Sequence, residues 1–163
     1  MPKVVSNSSP LIHLAKLGQI DLLRRQFGEV IIPKAVWRES VEEGGIREDA
    51  KAIASASWIR TVDVSPSLLL TALSIALDEG EAEAIALAAQ TGADLVLLDE
   101  RDARRIADAQ RLRTTGLIGV LLFAKRQGQI VSLRKHLEQL KMTGFRMSNE
   151  LYRAALQFAG EGE

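Results

Sequence analysis

The sequence predicts an α/β fold in which helices cover both faces of a mostly parallel sheet. Three observations predict it. Short apolar runs (VV at 4–5, VII at 30–32, LVLL at 95–98) alternate along the chain with longer amphipathic segments. Those runs show little polar alternation, as strands buried on both sides do not need it. The chain has 163 residues, 47% of them hydrophobic and 26% charged, enough for one domain of the usual size, about 150 residues, with its own core.

Taken in order, residues 3–7 read as a buried strand. Ser9 is the expected cap of the helix that follows, with Pro10 at its first position, where the missing N–H costs nothing. Leu11–Leu17 form that helix and Gly18 stops it. Residues 20–27 give a second helix closed by Gly28, and EVIIP a second strand. Pro33 opens a helix over 34–43, ended by Gly44-Gly45; another follows over 47–56. WIRTVDV (58–64) is a third strand. SLLLTALSIAL and the alanine-rich DEGEAEAIALAAQTG are helices, the second closed by Gly92. DLVLLD (94–99) is the clearest strand, ERDARRIADAQRL a helix, RTT a short strand and LIGVLLFAKRQG a helix. The last two segments, SLRKHLEQLK and SNELYRAALQFA, are amphipathic, with Leu133, Leu137 and Leu140, then Leu151, Ala155 and Phe158, at helical spacing. No linker or repeat divides residues 1–163, so a single domain is expected, with 132–163 a helical extension packed on it.

Composition excludes several chemistries. There is no cysteine, so thiolate nucleophiles, disulfides and cysteine zinc sites are out. The two histidines, His13 and His136, lack ligand spacing; His13 reads as an exposed residue without a role. A metal site would be built from oxygen ligands and would favour a hard ion such as Mg²⁺ or Mn²⁺. Lys plus Arg equals Asp plus Glu at 21 each, so no global field attracts nucleic acid. Aromatic residues are 4% of the chain, too few for a stacking platform, so any grip on RNA is expected to be electrostatic. Neither a signal segment nor a membrane-spanning run is present, and a cytoplasmic address is expected.

In a parallel sheet, ligands collect beyond the carboxyl ends of the strands. The polar residues there are Asn7 and Asp99. Each also fits an ordinary structural role: Asp99 and Asp102 can open a helix, Asp78 and Glu81 have capping-box spacing, and Glu39 and Glu83 can be dipole-matched or solvated helix residues. Against those readings, helical periodicity sets Glu81 on the face of Ile85 and Ala88, and a carboxylate on an apolar face needs a partner such as a cation. Glu83 points elsewhere in a regular helix. Several acids meeting at one sheet edge repel unless a divalent ion neutralises them.

VVSNSSPLIHLAKLG, VIIPKAVWRE, DEGEAEAIALA, LVLLDERDARRIA, TGLIGVLLFAKRQGQI and GFRMSNELYRAALQFAGE, in that order, resemble a PIN-domain protein, and more narrowly the PIN-like proteins related to VapC-type toxins. The resemblance covers essentially the whole chain. It implies a three-layer α/β/α fold and a Mg²⁺- or Mn²⁺-dependent ribonuclease site. Carried over by motif, the acids fall on Asn7, Glu39, Glu81 with Glu83 adjacent, and Asp99 with Asp102 as auxiliary; Ser8 and Ser9 match the hydroxyl residues that order the site. Arg101, Arg104 and Arg105 are the candidates for gripping RNA phosphates. The resemblance also implies a homodimer and a cognate antitoxin. One departure stands out: Asn7 replaces the usual first Asp, keeping a carbonyl oxygen but losing charge and basicity.

The rivals are weaker. A dehalogenase-like phosphatase needs a nucleophilic Asp where Asn7 stands, a receiver domain needs an acidic pair there, and no glycine-rich phosphate loop follows the first strand. The alternative to a working nuclease is a catalytically silent PIN-like module that binds RNA or a protein.

Overall fold

A computed structural model describes residues 2–162. At its centre is a parallel sheet of five short strands: β1 (Val4–Ser6), β2 (Val30–Ile32), β3 (Ile59–Thr61), β4 (Leu95–Leu97) and β5 (Thr114–Thr115), in the order β3-β2-β1-β4-β5. Val5 lies opposite Ile31 on one side and Val96 on the other. The chain winds outward from β1 through β2 and β3, then returns beside β1 with β4. The strand order therefore reverses between β1 and β4, the place where such sheets leave a crevice.

Continuous apolar strands are explained by what each face meets. Val4, Ile32 and Leu97 point into one core with Leu11, Leu14, Leu117 and Leu121. Val5, Ile31, Val96 and Leu98 point into a second core with Leu73, Ile85 and Ala103. Successive strand residues alternate sides, so both Val4 and Val5 must be apolar. This makes three layers. One carries α1 (Ser8–Lys16), α2 (Asp21–Phe27), α3 (Lys34–Trp37) and α4 (Glu48–Ala54). The opposite layer holds α5 (Leu68–Ala76), α6 (Glu79–Thr91) and α7 (Arg101–Ala109). On the first side again lie α8 (Leu117–Arg126), α9 (Leu133–Met142) and α10 (Asn149–Phe158). The fold is thus the α/β/α arrangement expected. Ala82, Ala84, Ala86 and Ala88 are all buried in α6, and their small side chains let this helix lie close to the sheet.

Four details differ from the sequence reading. The cap of α1 is Asn7, not Ser9, so Pro10 is the third helical residue; that position still lies in the first turn, where no N–H is required. The helix after Pro33 is regular only to Trp37 and then widens into a π-turn at Arg38–Glu42. In α10 the buried residues are Ala155 and Leu156, while Leu151 is 45% and Phe158 74% exposed. A 3.6-residue period alone cannot tell the Ala155–Leu156 face from its neighbour one residue round. His13 is half-buried rather than exposed.

In α9, by contrast, Leu133, Leu137 and Leu140 are fully buried. Its N-terminus is held from the far end of the chain. Glu161 accepts hydrogen bonds from the Leu133 and Arg134 amides at 2.6 and 3.1 Å and pairs with Lys125 at 3.1 Å. Among the described residues no helix is long and apolar enough to cross a membrane.

Candidate active site

The site grows from the β1–β4 edge. The Asn7 amide donates to the Leu97 carbonyl at 3.0 Å, carrying the sheet pairing one step past β1. Its extended backbone (φ −80°, ψ 174°) then opens α1, but its side chain does not cap that helix. Instead Asn7 Oδ1 is buried without a hydrogen-bond partner. The next two residues splay apart. Ser8 Oγ approaches Glu39 Oε2 at 3.5 Å, and Ser9 Oγ donates to Asp99 Oδ2 at 2.7 Å. The strand-to-helix junction thus links two acids that come from elements far apart in sequence.

Glu39 rides on the π-turn, whose extra residue per turn alters which side chains face the sheet edge. Its Oε1 is buried and unpartnered, like Asn7 Oδ1. Burial, then the negative charges of Asp78 and Glu43, push its carboxyl above the ordinary range. Both orphan oxygens lie over Gly80. A side-chain carbon there would collide with Glu39 Oε1 and stand 3.2 Å from Asn7 Oδ1. Glycine is what leaves this space open.

Glu81 comes from the first turn of α6. Asp78 caps that helix by accepting from the Glu81 amide at 2.8 Å, as the capping-box spacing suggested. The Glu81 side chain is only 7% exposed. Burial first, then the Asp78 charge, raises its pKa to about 7, with Glu100 adding to the rise. Such a carboxyl is half-protonated at neutral pH and would be fully ionised only beside a cation.

Asp99, two residues past β4, is not the cap of α7; Glu100 holds that position without a side-chain bond. The two Asp99 oxygens are otherwise engaged, Oδ2 with Ser9 and Oδ1 with the Leu117 amide at 2.7 Å, at the start of α8. Three elements therefore fix its orientation.

The remaining candidates lie further out. Glu83 Oε1 accepts from the Ala35 amide at 3.2 Å, satisfying the first turn of α3, which Pro33 cannot cap. Asp102, Arg101 and Arg105 are exposed on α7, whereas Arg104 is half-buried beside Gly116. Two further residues beside Asp99 have no counterpart among the sequence candidates. His13 Nδ1 bonds Thr143 Oγ1 at 2.9 Å, and its ring meets Phe145 edge-on at 5.1 Å. Burial lowers its pKa below 6.5 against the opposing pull of Asp99. Arg146 follows on the same loop. Nothing local in the sequence signals either residue, since their neighbourhood is made by contacts more than a hundred positions apart.

The donor set suits a hard divalent ion: all its atoms are oxygens, two are buried without partners, and the Glu81 carboxyl has its pKa raised by burial and by the Asp78 charge. Among the described residues no three His, Asp or Glu side chains alone enclose an ion. No curated protein matches the chain. Residues 3–161 match the family model described as a PIN domain, and the chain belongs to that family.

Proposed function

We propose that this PIN domain is a Mg²⁺- or Mn²⁺-dependent endoribonuclease, the toxin of a toxin–antitoxin pair. The observation that carries the reading is the pair of buried, unpartnered oxygens, Asn7 Oδ1 and Glu39 Oε1, facing one glycine-made space beside Glu81. Unpaired buried oxygens cost roughly 1–3 kcal/mol each, and a cation at this spot offsets that cost. Glu39, Glu81, Asn7 and Asp99 would hold the ion, with Glu83, now bonded to the Ala35 amide, and the exposed Asp102 as auxiliaries.

The bound ion supplies Lewis-acid activation of the phosphodiester and of water. The protein's own groups supply the rest. Ser9 and the Leu117 amide hold Asp99 in one orientation, which removes reorganisation at the reacting centre. Glu81, poised near neutrality, can hold or release a proton within the site. RNA is the substrate class implied by the family, and an antitoxin and a homodimer are the partners it adds to the proposal.

One observation favours a second reading. The neutral amide of Asn7 lowers the charge available to an ion, and among the described residues no three His, Asp or Glu side chains are gathered closely enough to enclose one. On that reading the chain is a silent module that binds RNA or a protein. Cleavage of a mixed single-stranded RNA pool in Mn²⁺, with EDTA and with Asp99→Ala, separates the two. Cutting abolished by both is the expected result. Equal cutting by both proteins marks contamination, and absence of cutting together with absence of Mn²⁺ binding by calorimetry selects the silent module.

A further inference from the structure

Two clefts flank Asp99, and the loop between α9 and α10 divides them. One, of about 390 Å³, is lined by Ser9, His13, Asp99 and Glu100; the other, of about 360 Å³, by Asp99, Arg104, Thr115, Leu122 and Leu151. Phe145 and Arg146 line both. Each volume lies in the usual range for small-ligand sites, about 300–1,000 Å³.

Their chemistry differs. The first cleft sets two acids against one arginine. The second sets two arginines against Asp99, whose charge is already shared with Ser9 and the Leu117 amide. Neither Arg104 nor Arg146 forms an ion pair among the described residues. Arg104 is half-buried, with Nη1 close to the Cβ position of Gly116, and a side chain at Gly116 would also crowd Asp99 Oδ1. A half-buried guanidinium that forms no ion pair keeps N–H donors free for a phosphate oxygen.

The same cleft also has apolar lining. Leu122 and Phe145 are half-buried there, and Leu151 is 45% exposed. Guanidinium donors and apolar side chains lining one cleft suit the phosphate and the base of a nucleotide.

We propose that this cleft is a nucleotide subsite adjoining Asp99, in which Arg104 and Arg146 bind an RNA phosphate and the Phe145–Leu122–Leu151 shelf receives a base. The inference rests on the nuclease reading for its substrate, but it makes a binding claim that does not require cleavage. It also makes the α9–α10 loop part of substrate recognition, with Arg146 contacting whatever passes from one cleft to the other.

The test is binding of a short fluorescein-labelled single-stranded RNA in EDTA, followed by anisotropy across a salt series. Arg104→Gln and Arg146→Gln should each weaken binding by roughly tenfold and reduce the slope of log affinity against log salt by about one. Leu151→Ala should weaken binding several-fold without changing that slope, since it removes apolar contact and no charge. Arg25→Gln, on the exposed outer side of α2, is the control and should match the parent. Parent-like affinity and slope for both arginine variants overturn the proposal, as does a parent that fails to bind RNA. An unchanged Leu151→Ala overturns the base shelf and leaves only a phosphate site. Failure of the nuclease reading appears separately, as RNA bound through these residues but never cut in Mn²⁺.

Discussion

Ser9 Oγ and Asp99 Oδ2, 90 positions apart in sequence, share a 2.7 Å hydrogen bond across the edge where β1 and β4 end. With the Leu117 amide on the other oxygen, Asp99 has one allowed orientation. Ser9→Ala removes one of these restraints without exposing the core. The expected result is a fall in kcat of about tenfold, a loss of roughly 1.4 kcal/mol at the transition state, with KM nearly unchanged. Steady-state kinetics on a defined RNA, beside a thermal melt, check it.

Restoring charge at Asn7 is the converse experiment. Asn7→Asp adds a carboxylate beside Glu39, where no counter-ion stands. Without metal it should lower stability by about 1–3 kcal/mol. With Mn²⁺ the same charge becomes a ligand, and affinity should rise on the order of tenfold. Melting curves and calorimetric titrations, each with and without Mn²⁺, should therefore move in opposite directions.

The protonation of Glu81 predicts a pH dependence with a definite sign. Its folded pKa of about 7 lies above the ordinary 4.5. Between those values the unfolded chain has released a proton that the folded chain still holds, so metal-free stability falls as pH rises from about 4.5 to 7 and then levels. The shift amounts to roughly 2 kcal/mol once partial solvent screening is allowed for. Glu81→Gln should abolish that part of the slope and raise Tm by a few degrees at pH 8. Parallel melts from pH 5 to 8 give the difference directly.

Gly80→Ala alters the site without changing any ligand. The added methyl meets Glu39 Oε1 and closes on Asn7 Oδ1. It also fills the space that an ion would need. Helix propensity favours alanine by about 1 kcal/mol, so the clash opposes a local gain and stability should change little. Mn²⁺ binding should be lost, by at least tenfold in calorimetry, with far-UV circular dichroism unchanged.

Much of this arrangement was legible in the sequence, and the exceptions share a cause. Asn7 and Asp99 stood out because each closes an apolar run, and strand ends are where parallel sheets place ligands. Glu81 stood out because helical spacing put it among apolar residues, and it is indeed buried. Asp78 capped α6 as the box spacing implied. Glu39 could be found only by resemblance, since the π-turn that aims it breaks the 3.6-residue period on which patterns depend. His13 was misjudged because its surroundings, Thr143 and Phe145, are supplied by a loop 130 residues away. Leu151, Ala155 and Phe158 share helical spacing, but that period fits two adjacent faces of α10, and only packing against α8 and α9 selects the one with Ala155 and Leu156.

The strand order has a consequence for when activity can begin. β1 first meets β2, about 25 residues further on, whereas its partner β4 lies about 90 residues away. Closing that loop carries the larger entropic cost, and pairings of long sequence separation tend to form late. A chain that has assembled only β1, β2 and β3 already owns Asn7 and Glu39 but has neither Asp99 nor α8 to orient it. If the proposed nuclease reading holds, activity is therefore expected only from the finished fold.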